Sequence, residues 1–437
     1  MTRDTRWVLL VVALAIVRSV VLAVFVPPYQ SSDEPWHLDY ARVVSEGHLP
    51  VLSRTVMSPA IVEDDRRVTS TRHLTLYGIG TPAFSREAFQ PPLSYVAPGV
   101  AYRLIRRPSR ALAAFRGLDA LAGALVAAVA FFLGRRAFPG SAHAAPVAGL
   151  TAACLPSVSI ATSTADNDAL AILLALGALM GMMTVVRAHV SPGRLVGLGV
   201  TIGLAALAKT SGLLLLVPAA VAMTLGPRSA DRSVRRPAWG LAIVAAAALA
   251  VDAPWAAWNV AHYREPLGTS AFSPFHPQPG SRIGGWRLLL GARPRLHGAA
   301  RFWPEVARTS VGVLRWADLY LPAWAYAAAA AAVLLGGLAA ARWLGARASG
   351  RDTAGDRDRA VALVVLTTVL AYVAGMVWYA FTVDYQPQGR YLIPALLAGA
   401  AVLGAGLERR GLVVAGAVLL TLLGAAIGTT IGTYGIP

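Results

Sequence analysis

Four short stretches of this chain carry side chains able to do chemistry. The first, SSDEPWHLDYARVV, gathers Asp33, Glu34, His37 and Tyr40. Pro35 suits the first turn of a helix, which puts Asp33 and Glu34 at its N-terminus, where the helix dipole favours carboxylates. His37 then falls one turn after Asp33 on the same face, and Tyr40 one turn after His37. A carboxylate so placed suits a general base that takes the proton of an acceptor hydroxyl. The plainer alternative is that Asp33 caps the helix and His37 is a polar surface residue.

The second stretch, STADNDALAILLALGALM, sets Asp166 and Asp168 either side of Asn167 where the chain enters an apolar run. One acid could cap a helix; two acids and an amide exceed a cap and could bind a substrate hydroxyl or, through their oxygens, a divalent cation. The last two stretches hold isolated cations: Lys209, the sole lysine, in GLAALAKTSGLLLLVP, and Arg390 in DYQPQGRYLIPALL. A cation in an apolar segment is costly and usually functional. Arg would grip a lipid-linked phosphate bidentately and Lys as a point charge; snorkelling to ordinary headgroups is the alternative for both. Arg18, inside the first apolar run, reads as a partner between helices. The segment holding Arg103, Arg106, Arg107, Arg110 and Arg116 reads as a headgroup-facing stripe. His48, His73, His143, His262, His276 and His297 lack zinc-type spacing. No P-loop, G-x-S-x-G or G-x-G-x-x-G occurs, so ATP use and serine hydrolysis have no support.

The elements that must position these residues follow from composition. Of 437 residues 56% are hydrophobic and only 14% charged, well below a soluble domain's share of charge. Apolar runs recur near the roughly 20 residues that cross a bilayer. An all-α polytopic membrane protein is expected, with about eleven spans near 7–26, 111–133, 144–164, 167–187, 194–208, 211–226, 238–257, 323–343, 360–381, 391–407 and 411–432. The fifth and sixth are short and share the AKTSG junction, where a tilted or broken helix is expected. The basic start and long apolar stretch of the first run read as an uncleaved span.

The formal charge of +17 lies in loops, where lipid headgroups and topology account for it; nucleic acid is not an expected partner. Alternate connections hold Arg135 and Arg136; Arg187 and Arg194; Arg228, Arg232, Arg235 and Arg236; Arg342, Arg347 and Arg351; Arg409 and Arg410. The positive-inside rule places these, and the N-terminus, in the cytoplasm of a cell with the chain in its plasma (inner) membrane. Two long segments, 27–110 and 258–322, then lie outside, on a single membrane domain 1–437. No soluble terminal domain is expected after IGTYGIP, and Cys154 alone can form no internal disulfide.

In this order the pieces resemble the GT-C superfamily of polytopic glycosyltransferases, in the branch of protein O-mannosyltransferases, aminoarabinose transferases and uncharacterised bacterial relatives. DEPWHLDYARVVSEGHLP resembles the acidic motif that opens the first external loop, and FQPPLSYVAPGVAYRL the bulky-Pro-Pro-Leu-x-Tyr element that closes it. RALAAFRGLDALAGALVAAVAFFLGRRAF is similar to the second span with its outer Arg, here Arg116; STADNDALAILLALGAL, GLAALAKTSGLLLLVP, PWAAWNVAHYREPLG and QGRYLIPALLAGA also have counterparts. The resemblance implies an inverting transfer, on the outer face, from a polyprenyl-phosphate-linked sugar donor to a glycan, lipid or protein acceptor of the cell envelope. Asp33 takes the role of base and Glu34 that of its acidic neighbour, the two catalytic residues. His37, Tyr40, Arg116, Asp166, Asp168, Lys209 and Arg390 are the substrate-binding set. Gln90 stands where many relatives carry Lys or His. The rival expectation is a transporter or flippase of lipid-linked sugars, which would need polar sites near the bilayer midplane.

Overall fold

The computed structural model describes residues 1–71, 74, 84–188, 190–226, 237–272, 296–315, 317–348 and 353–435. Arg228, Arg232, Arg235, Arg236, Arg351, His73, His276, the side chain of His297 and much of 258–322 lie outside the described residues.

The fold is all-α, a bundle whose helices run back and forth between two ends. From one end, α1 (Arg3–Phe25) leads to α2 (Glu34–Ser45), α3 (Pro59–Thr71) and α4 (Leu93–Ile105), all at the other. Long α5 (Pro108–Ala137) returns, and α6 (Ala144–Cys154), α7 (Pro156–Ala161), α8 (Asp168–Arg187), α9 (Pro192–Ala208), α10 (Leu216–Leu225) and α11 (Pro237–Tyr263) continue the alternation. The helices Leu296–Val311, Ala323–Ala348, Thr353–Thr382, Ile393–Ala405 and Arg409–Tyr434 complete it. Val313–Leu314 and Leu319–Tyr320 form a short antiparallel ribbon.

Among the described residues seven helices are long and apolar enough to span a membrane, and four apolar stretches are shorter: Ala144–Cys154, Pro192–Ala208, Thr210–Leu225 and Gly389–Ala405. Large apolar side chains such as Val17, Val20, Leu121, Leu334 and Leu335 are exposed around the bundle, as lipid-facing residues are. The eleven runs expected from hydropathy thus divide into full-length spans and interrupted ones. The third run breaks at Leu155–Pro156 because proline ends α6, leaving 162–167 non-helical. The AKTSG junction breaks as expected: α9 stops at Ala208, Lys209 is extended (φ −157°), and a 3-10 turn Thr210–Leu215 feeds α10. A second 3-10 turn, Gly389–Leu392, likewise precedes Ile393–Ala405. Both breaks put a cation between helices rather than mid-helix.

Small residues let the helices approach. At Gly134 a Cβ would sit 2.6 Å from the Ala144 carbonyl oxygen, so only glycine allows α5 and α6 this contact. A second, aromatic core of Tyr29, Trp36, Tyr40, Tyr95, Tyr102 and Phe115 seats α2 and α4 on the top of α5. The end opposite Asp33 gathers arginines: Arg135 pairs with Asp4 at 3.3 Å, and buried Asp358 holds both Arg187 and, at 2.9 Å, Arg347. Arg116 departs from the headgroup stripe expected of it, being only 5% exposed.

Candidate active site

The chain enters the site through two buried clamps. Arg116, from α5, meets Glu34 through Nε–Oε1 and Nη2–Oε2, both 2.7 Å, and donates to the carbonyls of Val26 and Pro27 at 2.7 and 2.9 Å. Glu34 Oε1 also accepts from the backbone N–H of Ala165 at 3.2 Å. Four elements, the end of α1, α2, α5 and the 162–167 segment, are thereby fixed to each other. On the far side of that segment Arg18 donates to Ser159 Oγ (2.8 Å) and Thr162 Oγ1 (2.7 Å), a partner between helices as expected.

Held this way, Asp33 is left at the edge. It occupies the N-cap position of α2, its backbone carbonyl accepting from Trp36 and His37 at 3.0 Å each, with Pro35 in the first turn. Yet its φ of 63° lies in the left-handed region, and its side chain makes no capping hydrogen bond. A non-glycine residue there costs energy that the surroundings must offset. The conformation turns the carboxylate away from the helix and towards Arg390 (3.6 Å) and Arg86 (4.0 Å). The capping alternative therefore does not describe Asp33.

These groups line a cavity of about 240 Å³. Its polar wall holds Asp33, His37, Glu87, Asp166, Asp168, Lys209 and Arg390; its apolar wall, on the 3-10 turn Thr210–Leu215 and on Thr353–Thr382, includes Leu213, Leu214, Tyr372, Met376 and Trp378. Lys209 contacts Asp168 and stands 5.0 Å from the Tyr391 ring centroid, over which Arg390 also lies at 5.6 Å. Asp166 accepts from the backbone N–H of Asp168, the first residue of α8, at 2.7 Å, and both acids line the cavity. Burial, and then the charge of Asp168, raises the Asp166 carboxyl well above its ordinary value. Asn167 donates to Gln90 Oε1 at 3.0 Å, so Gln90 serves here as an acceptor in the wall.

His37 is 4% exposed; its Nδ1 is 2.8 Å from Tyr95 Oη, and burial lowers it to about 4, leaving it neutral near pH 7. Tyr40 does not reach the cavity: it stacks on Tyr95 at 3.8 Å and donates to the Gln90 carbonyl at 2.9 Å. Glu34 and Arg116 do not reach it either, because each satisfies the other in the clamp. Sequence reasoning missed Arg86, Glu87, Asp384 and Tyr391. Arg86 bridges Asp33 and Asp384 (3.9 Å) while lying over the rings of Trp36 and Phe272. Tyr391 adjoins Arg390, and Arg86-Glu87 lies one residue before the Phe-Gln-Pro-Pro element; those proximities are the signals that could have found these three residues.

The charges of this site are incompletely satisfied. Among the described residues, Arg390 Nε, Arg86 Nε, Asp168 Oδ2 and Asp384 Oδ1 are buried without a hydrogen-bond partner. Such orphans are costly in a native structure and point to a ligand or ordered water that completes them. Among the described residues no group of three or more His, Cys, Asp or Glu side chains could hold an ion; Lys209 pairs with one oxygen of Asp168, and Asp166 accepts from a backbone N–H. Two of the four open valences belong to guanidinium groups, Arg390 and Arg86, which suit an anionic ligand, and two to carboxylates, which suit a hydroxyl or other donor.

No curated protein matches the chain in sequence. Among solved structures it is similar to ArnT from Cupriavidus metallidurans bound to undecaprenyl phosphate, with TM-score 0.55 at 19% identity over 93% of this chain and 60% of that one. It is also similar to the archaeal oligosaccharyltransferase AglB from Archaeoglobus fulgidus in complex with an inhibitory peptide and a dolichol-phosphate (TM-score 0.54, 13% identity, 99% of this chain and 56% of that one). The A. fulgidus oligosaccharyltransferase complex with Zn and sulfate gives TM-score 0.52 at 16% identity, over 98% of this chain and 52% of that one. The chain thus spans little more than half the length of these proteins, and the shared part is a GT-C-type membrane fold. The family described as "Predicted membrane protein (DUF2142)" matches residues 60–398. With most of its length inside that match and a multi-pass helical fold, the chain belongs to the DUF2142 family of membrane proteins.

Proposed function

We propose that this protein is an inverting glycosyltransferase that moves a sugar from a polyprenyl-phosphate donor to a hydroxyl of a cell-envelope glycan, lipid or protein. The observation that carries the reading is the state of Asp33, released from capping and turned to a cavity wall beside Arg390, opposite an apolar wall suited to a polyprenyl chain. In the reaction the acceptor oxygen attacks the anomeric carbon from the face opposite the phosphate. The anomeric C–O bond breaks, polyprenyl phosphate leaves with the bonding electrons, and Asp33 takes the acceptor's proton. A phosphate monoester leaving group needs charge stabilisation rather than a strong acid, and Arg390 and Lys209 supply it. The sugar phosphate fits between these cations, and His37, neutral, offers a hydrogen-bonding edge.

The arginine-rich end lies opposite the cavity. This supports a cytoplasmic N-terminus and a cavity at the outer face of the inner membrane, with 27–110 and 258–322 outside on a single membrane domain. Gathering of the candidate groups at one end also favours a transferase over a carrier, which would need midplane sites. Purified protein in liposomes, given polyprenyl-phosphate sugars labelled in the sugar, should release label from lipid to a hydroxylated acceptor or water. Protein that relocates labelled lipid between leaflets without cleaving it would be a flippase and would overturn the reading.

A further inference from the structure

Glu87 is a buried carboxyl that the mechanism above leaves without work. It lies in the 3-10 turn Arg86–Phe89, is 7% exposed and lines the cavity on the same wall as Asp33 and His37. Among the described residues its carboxylate makes no ion pair or side-chain hydrogen bond. Its neighbour Arg86 is turned to Asp33 and Asp384 instead. A buried carboxyl facing an open cavity without a partner is costly unless a ligand completes it. The ligand group is not the phosphate: two carboxylates, Asp33 and Glu87, would repel it, and Lys209 and Arg390 stand ready for it elsewhere on the wall. What remains is an uncharged hydroxyl. The wall beside Glu87 offers the usual company of a sugar, with the ring of Phe89 packed at 4.2 Å on Phe272, and Gln90 and Asn167 joined in an amide pair. Burial, and after it the charge of Asp33, pushes the Glu87 carboxyl up to about 7, so that near neutral pH it is able both to donate to and accept from a hydroxyl.

We infer that Glu87 is a sugar-binding residue, hydrogen-bonded to a hydroxyl of the sugar carried by the polyprenyl phosphate, and so a determinant of which sugar is accepted. This rests on the glycosyltransferase reading and deepens it. A donor lacking that hydroxyl would leave the carboxyl unpaired, which is how a polar site rejects an analogue.

The test compares binding of undecaprenyl phosphate with that of undecaprenyl phosphates carrying glucose, mannose, galactose or xylose, on the full chain in nanodiscs. The wild type should prefer at least one glycosyl lipid over the bare lipid by about tenfold or more. Glu87→Ala should lose that preference, and Glu87→Gln, which keeps a donor and an acceptor, should retain part of it. Unchanged affinity of Glu87→Ala for bare undecaprenyl phosphate would show that the variant is folded. Full preference retained by Glu87→Ala overturns the assignment while leaving the transferase reading intact. A wild type that binds bare and glycosyl lipids alike overturns the sugar site. Failure to bind undecaprenyl phosphate at all overturns the donor reading on which it rests.

Discussion

Asp33 and Glu34 are adjacent in sequence and belong to two different chemical regions. Glu34 lies in a closed one: bidentate to Arg116 at 2.7 Å, bonded to a backbone N–H, wholly buried. Asp358 at the opposite end is closed in the same way by Arg187 and Arg347. Asp33 lies in an open region, where its pairs are long (3.6 and 4.0 Å) and buried polar atoms lack partners. A closed buried pair has spent its charge on holding elements together; an open one keeps charge for a ligand. The difference arises from one backbone angle. Because Asp33 is left-handed, successive carboxylates leave α2 in different directions, one into the bundle and one into the cavity.

Four perturbations test this contrast. Asp33→Asn should lower sugar transfer about 10²- to 10⁴-fold, the usual worth of a general base, while the unfolding temperature in detergent stays near wild type. Equal loss of stability would make Asp33 a closed residue like its neighbour. Glu34→Ala or Arg116→Ala should do the reverse. Stranding one buried charge costs about 3–5 kcal/mol, so these variants should unfold early or fail to accumulate, and normal stability would deny the clamp. Next in size are Lys209→Ala and Arg390→Ala, each expected to weaken undecaprenyl phosphate binding about tenfold or more through loss of a charged contact. Unchanged affinity in both would remove the phosphate site.

The smallest effect is a pH dependence. Glu87 moves from an ordinary 4.5 to about 7 in the folded chain, through burial first and the charge of Asp33 second, with Arg86, Arg390 and Lys209 opposing. Its contribution to stability is full below 4.5 and is lost as pH rises through 7, because the folded chain holds a proton that the unfolded chain has released. Thermal unfolding of Glu87→Gln should therefore gain on wild type between about pH 4.5 and 7 and run parallel above. Parallel curves across the whole range would place Glu87 in contact with water.

The bundle was largely legible because spans announce themselves by length and apolarity. The junction at Lys209 was legible because Ala-Lys-Thr-Ser-Gly cannot continue an apolar helix comfortably, whereas the break at Leu155–Pro156 was masked by apolar residues on both sides. Of the site, Asp33, His37, Asp166, Asp168, Lys209 and Arg390 were expected and do meet at one cavity. Glu34, Arg116 and Tyr40 were expected there and instead build its support, since no sequence pattern tells that a carboxylate will find a guanidinium on another helix. Nor could spacing foresee the left-handed Asp33, which separates a cap from a candidate base. Arg86 went unread because its partners, Asp33 and Asp384, lie far along the chain, and Glu87 because only the folded wall shows that it faces the cavity.

The central claim, that the open charges exist to hold a lipid-linked sugar phosphate for Asp33 to act on, is tested most directly by the lipid that each form of the protein retains. Native mass spectrometry of wild type and Asp33→Asn, purified gently after exposure to a polyprenyl-phosphate sugar that the wild type accepts, should find bare polyprenyl phosphate on the wild type. The variant should carry the intact glycosyl lipid. The same intact glycosyl lipid on both proteins, or no phosphate lipid on either, would contradict the account.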